Sequence, residues 1–403
     1  MAVWNSFKRI ESVFNAEIPD RVPKFEISIE IPELNPLVDG QEVGSGILFF
    51  PPQLIEMFHE KPSLISQMEQ IVTNPRTLET ILGGSPKKTA RIHVEFNYDM
   101  FLTFPGVPMI FKNKIFEDFH TEEDNKVVRG PDGRLVWRTS PDGAHTRHGF
   151  IQSPDDWEKY IEFDVDHPGN SILVKRTLNT CKKIDLVPTF FLFGSGFFEE
   201  LCGMFGFETM FKLLVKDKSF VKDIVTQMSD YSIALVEKVI EKGGKYIYMS
   251  NDLGIKGTSI ISPQMFREFF KPSIKKFCNK VHSLGGKVIM HSCGYVSELL
   301  PDFVDMGLDA LHPIEKASGN DIVELKEKFG KDIIFIGNVP IPLLSHGTPE
   351  EVTEYVRYLL KNVSKDGGHI FSSSHSVTKW CKLENFIAYN EAVHNYGTYP
   401  ITF

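Results

Sequence analysis

Short β-rich runs alternate with longer helical stretches through the second half of the chain, and this alternation restricts the fold more than any other feature. The runs are Val187 to Phe193, Lys245 to Ser250, Lys287 to His291, Asp309 to Ile314, Ile333 to Gly337 and His369 to Ser374. Between them lie Ser219 to Lys242, Pro263 to Leu284, Asp321 to Phe329 and Pro349 to Lys361, whose apolar residues recur at helical spacings of three and four. Strand then helix, repeated, implies a parallel sheet. Ser262-Pro263 and Thr348-Pro349 mark helix starts, each a hydroxyl cap followed by proline in the first turn. Two further β runs, Pro23 to Ile29 and Ala90 to Phe96, bring the set to eight. The expected fold is therefore α/β, a closed (βα)8 barrel rather than an open sheet.

One stretch breaks the pattern. Residues from about 108 to 150 contain Asp132-Gly133 and Asp142-Gly143, turn dipeptides between short β-like runs, and are expected to form a β-hairpin insertion. It would cover the barrel mouth, contact a partner, or decorate the surface. The 403 residues suit one barrel domain, 1–403, that carries such an insertion. With 42% hydrophobic and 24% charged residues the chain reads as an ordinary soluble globular protein. A net charge of -9 argues against a nucleic-acid surface, which needs clustered Lys and Arg. No apolar run reaches the roughly 18 residues of a membrane span. The start, Met1 to Arg9, lacks the basic-then-apolar order of a secretory signal, so a cytoplasmic protein is expected. Cys181, Cys202, Cys278, Cys293 and Cys381 are odd in number and widely spread, as reduced thiols are.

Active sites of βα barrels sit on the loops after the C-terminal ends of the strands. The polar residues there are Asn251 and Asp252, His291 and Cys293, Glu315, Asn338 and His375. His291-Ser292-Cys293-Gly294 follows its strand directly, and His375 is placed the same way after the last one. Imidazole and thiolate are good zinc ligands, and three protein ligands with an open fourth position make a catalytic zinc site. The residues alone leave two readings open: a catalytic metal, or a metal-free site that uses the same groups for hydrogen bonding. Each group also has a plain structural role available. Asp252 can cap a turn, Glu315 can pair with a lysine, Asn338 can tie down a loop, and Cys293 can be a small buried residue.

The chain resembles the uroporphyrinogen decarboxylase-like superfamily, which includes corrinoid-dependent methyltransferases. The likeness runs from Pro19-Asp20-Arg21-Val22-Pro23 through Asn251-Asp252-Leu253-Gly254, Ser262-Pro263, His291-Ser292-Cys293-Gly294, Pro313-Ile314-Glu315, Gly337-Asn338, Gly347-Thr348-Pro349 and Ser374-His375 to Gly397-Thr398-Tyr399-Pro400. It implies a TIM barrel, in agreement with the strand count. Decarboxylases proper carry an Arg-Gln-Ala-Gly-Arg segment soon after the opening motif, whose cations hold the carboxylates of the tetrapyrrole. Here that region reads Lys24-Phe25-Glu26-Ile27-Ser28-Ile29-Glu30-Ile31-Pro32. It cannot supply paired guanidiniums, and porphyrinogen decarboxylation is disfavoured.

The methyltransferase branch fits better. Its members that pass methyl groups between a corrinoid protein and a thiol bind zinc through a His-x-Cys pair and a later Cys. His291 and Cys293 match the pair, while His375 stands where the later cysteine would be. The resemblance thus implies a zinc-dependent methyltransferase acting between a small methylated substrate of ether, amine or thiol type and the cobalt of a separate corrinoid (cobalamin) protein. Its direction of transfer is open, since zinc with one thiolate is the stronger Lewis acid. A separate partner follows because the sequence has no Asp-x-His-x-x-Gly corrinoid-binding segment. In this scheme His291, Cys293 and His375 bind zinc, and Asp252 or Glu315 completes the coordination, orients a ligand or takes a proton. Asn338 donates a hydrogen bond to substrate, and Tyr248 and Tyr295 help wall the pocket. Members of the family often pair as homodimers. A metal-free decarboxylase is the alternative enzyme, and a binding subunit that keeps the barrel without chemistry stands behind both.

Overall fold

The computed structural model describes residues 4–38, 73–76, 87, 90–106, 110, 112, 114–122, 127–132, 135–140, 143–146 and 149–403. In chain order its strands are β1 (Phe25–Glu26), β2 (Met100–Thr103), β3 (His120–Glu122), β4 (Val127–Arg129), β5 (Leu135–Ser140), β6 (Gly143–Thr146), β7 (Val187–Phe191), β8 (Tyr246–Ser250), β9 (Gly254–Ile255), β10 (Thr258–Ser259), β11 (Lys287–His291), β12 (Ala310–His312), β13 (Ile334–Val339) and β14 (His369–Ser373). Eight of them pair in parallel in the order β1-β2-β7-β8-β11-β12-β13-β14. A parallel bridge between Lys24 and Phe371 brings the last strand back to the first, with the Phe371 N–H donating to the Pro23 carbonyl at 2.8 Å. The result is a TIM-type barrel. Helices such as Val174–Ile184, Lys218–Glu241, Lys271–Ser283, Ile322–Phe329 and Pro349–Leu359 alternate with the strands and cover them. Strands β7 and β14 are buried at every residue, as expected where a helix layer lies outside and a packed interior lies within.

The caps read from sequence are formed. Ser262 accepts from the Met265 N–H, and Thr348 makes a full capping box with Glu351. Other boundaries moved. Ala90 to Phe96, expected as a strand, contains the helix Arg91–Glu95, and the second barrel strand is Met100–Thr103 instead. Ile92 and Val94 have the spacing of a strand face, but Val94 is 40% exposed while Ile92 and His93 are buried, which is a helical division of the faces. The first strand shrinks from Pro23–Ile29 to Phe25–Glu26. The single helix expected over Pro263 to Leu284 is two, Pro263–Phe269 and Lys271–Ser283, because Pro272 opens the second.

Between β2 and β7 the chain leaves the barrel. A short helix, Lys114–Asp118, is followed by β3 to β6 in a four-stranded antiparallel sheet with neighbours in sequence order, more than the hairpin expected there. Gly133 and Asp142, one residue from each expected turn, lie outside the described residues. No described helix is long and apolar enough to cross a membrane.

Candidate metal site at the mouth of the barrel

Strand β11 ends at His291 and the chain turns sharply through Ser292-Cys293-Gly294. The turn is gripped from three sides. The Cys293 N–H donates to Asp252 Oδ1 at 3.0 Å, the Gly294 N–H to Glu315 Oε2 at 3.1 Å, and the Gly294 carbonyl accepts from Asn320 Nδ2 at 2.8 Å. Gly294 has φ of +75°, and a Cβ on it would lie 2.1 Å from the carbonyl carbon of Gly254. The two glycines let the β9-β10 ribbon press directly on the turn, where the Tyr295 N–H reaches the Ile255 carbonyl at 2.8 Å. Both carboxylates singled out from sequence, Asp252 after β8 and Glu315 after β12, thus fix the backbone that carries Cys293.

His375 arrives from the loop after β14. Its ring and that of His291 meet edge to face with centroids 5.8 Å apart. One donor atom each from His291, Cys293 and His375 lies within 4.8 Å of the others. Bonds of 2.0–2.3 Å in a tetrahedral zinc site place donors about 3.3–3.8 Å apart, so the cluster would close by about 1 Å around an ion. Hydrogen bonding decides which His291 nitrogen is available. Nδ1 lies 2.9 Å from His312 Nδ1 and 3.1 Å from the Tyr248 hydroxyl, whereas Nε2 faces Asp252 Oδ1 at 3.5 Å, beyond an ordinary hydrogen bond.

Electrostatics agree with a cation-binding role. Burial lowers the His291 pKa to about 4, so its imidazole is neutral, as a ligand must be. Burial, and then the Asp252 carboxylate, push the Cys293 thiol far up. That balance inverts beside a divalent ion, because a coordinating thiol is deprotonated outright. The donor set, one sulfur and two imidazole nitrogens, is a zinc set. His291, Cys293 and His375 fit the metal.

The other predicted positions are placed as follows. Tyr248 is buried, with its hydroxyl 3.1 Å from His291 Nδ1 and 3.2 Å from His312 Nδ1. Tyr295 is partly buried and lies against the Gly319 backbone. Asn338 is fully buried, its amide donating to the Ile314 carbonyl at 2.9 Å and its oxygen 3.5 Å from the Tyr355 hydroxyl. Three residues were missed. His312 sat inside an apolar run and read as strand, yet it backs His291 and reaches Ser372 Oγ at 3.3 Å. Glu199, in the helix Phe197–Phe205, accepts from Ser250 Oγ at 2.7 Å and the Asp252 N–H at 3.1 Å. Burial and the Asp252 carboxylate raise its pKa. Glu26, on β1, is wholly buried and bonds Ser372, Ser373 and Tyr389. Position after a strand end was the available signal, and of the three only Glu199, in the loop and helix after β7, carries it.

Comparison with known proteins fits this geometry. The profile of the family described as Uroporphyrinogen decarboxylase (URO-D) matches residues 138–396. The chain is 30% identical over 150 residues to methylcobamide:CoM methyltransferase MtaA of Methanosarcina barkeri, 35% of this chain and 42% of that protein. It is 24% identical over 191 residues to the methylated-thiol--coenzyme M methyltransferase of Methanosarcina mazei, 46% of this chain and 48% of that protein. The chain thus spans less than half the length of these curated relatives. A solved structure described as a methyltransferase from Methanosarcina mazei shares the fold, with a TM-score of 0.58 and 16% identity over 98% of this chain and 99% of that one. A barrel whose mouth carries the His-x-Cys turn, together with a profile covering well over half of its length, makes this chain a member of the uroporphyrinogen decarboxylase family.

Proposed function

We propose that the protein is a zinc-dependent methyltransferase that moves a methyl group between a small methylated substrate and the cobalt of a separate corrinoid protein. The observation that carries this reading is the meeting of His291, Cys293 and His375 at the barrel mouth. The relatives named as methyltransferases toward coenzyme M support it, and they favour a thiol as the partner substrate.

Zinc held there would supply Lewis acidity, with one thiolate and two neutral imidazoles leaving it a net positive charge. The chain's own groups prepare the site. Asp252 and Glu315 fix the Cys293 turn and add negative potential where a cation would be bound. Asp252 faces the site through Oδ1 and is the group placed to take a proton from a thiol acceptor. His312 and Tyr248 occupy Nδ1 of His291, which leaves Nε2 as the nitrogen that would hold the metal. Phe25 packs edge-on against His312 at 5.6 Å and Phe191 lies 6.3 Å from Tyr248, an apolar backing that excludes water behind the ligands. The relative named as a methylcobamide methyltransferase supports a separate corrinoid protein as the carrier of the cobalt.

Metal analysis tests the reading first. Purified protein is expected to hold about one zinc per chain, and Cys293→Ala to lower zinc affinity by more than about 100-fold, beyond the loss from an outer-shell partner. Methyl transfer from methylcobalamin to a thiol, followed by the cobalamin absorption spectrum, should vanish with the zinc. Metal-free wild-type protein, or undiminished transfer by Cys293→Ala, would refute the assignment.

A further inference from the structure

Glu26 is a fully buried acid that the proposed chemistry does not use, and its hydrogen bonds can be counted proton by proton. Its Oε1 accepts from the Ser373 N–H at 2.8 Å and lies 3.3 Å from the Tyr389 hydroxyl. Its Oε2 is 2.6 Å from Ser373 Oγ and 3.3 Å from Ser372 Oγ. Ser373 Oγ is also in short contact with the carbonyl oxygen of His375. A hydroxyl has one hydrogen, and a carbonyl can only accept. If Ser373 gives its hydrogen to His375, the contact with Glu26 needs a hydrogen from the carboxyl. If Glu26 were ionised, one of the two short contacts would set lone pair against lone pair. Among the described residues no Lys or Arg hydrogen-bonds the carboxyl, whose partners are hydroxyls and one backbone N–H.

We propose that Glu26 stands as the neutral carboxylic acid, donating from Oε2 to Ser373, and that it is a positioning residue which holds the His375 loop in place. Ser373 passes the bond on to the His375 carbonyl, while Ser372 links the same carboxyl to His312 and so to His291. One acid on β1 therefore braces both histidines. Burial supports the neutral form, raising the pKa of Glu26 to about 8. Lys24, Tyr98, Tyr248, Cys381 and Tyr389 lie within range of its charge, His93 Nε2 is 3.2 Å from its backbone carbonyl, and His312 is reached through Ser372. Lys24 has its own pKa lowered by burial to about 7, and His93 and His312 are held neutral by theirs.

The link to metal binding rests on the zinc site proposed above, and the test keeps the two apart. In metal-free full-length protein at neutral pH, the infrared difference between wild type and Glu26→Gln should contain the C=O band of a protonated carboxyl. Carboxylate bands in its place would overturn the proposal. In zinc competition against a chelator, Glu26→Gln should stay near wild type, because its amide can donate as the acid does. Glu26→Ala and Ser373→Ala should each bind zinc about 10- to 100-fold more weakly, the usual loss for an outer-shell partner. If Glu26→Gln loses as much as Glu26→Ala, Glu26 acts as an anion and the proposal fails. If wild type takes up no zinc, the metal reading falls and the bracing of ligands with it, while the infrared band still decides the protonation of Glu26.

Discussion

The two ends of the barrel treat charge in opposite ways. At the N-terminal rim Asp99 is fully buried and surrounded by cations: Arg9 Nη1 at 2.6 Å and Arg21 Nη1 and Nη2 at 2.8 and 2.9 Å, with the Lys24 N–H at 2.9 Å. Arg9 also pairs with Asp20 at 2.7 Å. At the C-terminal mouth Asp252, Glu199 and Glu315 gather around Cys293, and their partners are backbone N–H groups and hydroxyls. The lower rim is balanced and closed. The mouth gathers acids and a thiol whose described partners carry no positive charge, a setting that a bound cation would balance. In this architecture the bottom face carries stability and the top face carries chemistry, and here the distinction can be read from the ion pairs.

Breaking the lower network should give the largest effect on the fold. Asp99→Ala leaves two guanidiniums short of their buried partner, and removing one member of such a set costs about 3–5 kcal/mol. Chemical denaturation should show that loss, while zinc stoichiometry at temperatures below the lowered midpoint stays unchanged. If zinc is lost in proportion to stability, the two ends are not separable.

The converse substitution at the mouth comes next in size. Asp252→Asn keeps the shape but weakens the acceptor of the Cys293 N–H and removes a negative charge beside the site. Zinc affinity should fall by about 10- to 100-fold with little change in stability. A marked drop in melting temperature with unaltered zinc binding would make Asp252 a structural residue only.

How much of this was legible beforehand follows from what each residue's neighbours in sequence reveal. Lys287–His291 was read to the residue because an apolar run ends at a glycine-containing polar turn, and the turn's chemistry marks a strand end. His375 was legible for the same reason. His312 was hidden because the strand that holds it supplies buried residues without distinction, and only packing shows that its ring lies against His291. Glu199 sits in the first turn of a helix, where acidic residues are ordinary. Glu26 lies in a stretch whose only sequence signal is the arginines it lacks. Ala90 to Phe96 was misread because a five-residue helix is too short to display its period.

The smallest expected effect concerns Glu26, the last residue of β1, which is bonded to Ser373 at the end of β14 and so belongs to the mouth. Burial raises its folded-state pKa to about 8, from an ordinary glutamate value of about 4.5. Between those two values the folded chain keeps a proton that the unfolded chain has released. Its contribution is thus fully present below the unfolded pKa and is lost as pH rises toward 8. Glu26→Gln cannot titrate, so the stability difference between it and wild type should change with pH by at most about 1.4 kcal/mol per unit across that window. Asp99→Asn offers the control, since it lies among cations and should leave that slope in place. Parallel pH profiles for wild type and Glu26→Gln would mean that the acid is already ionised in the folded protein, and the mouth would then hold one more negative charge than its hydrogen bonds imply.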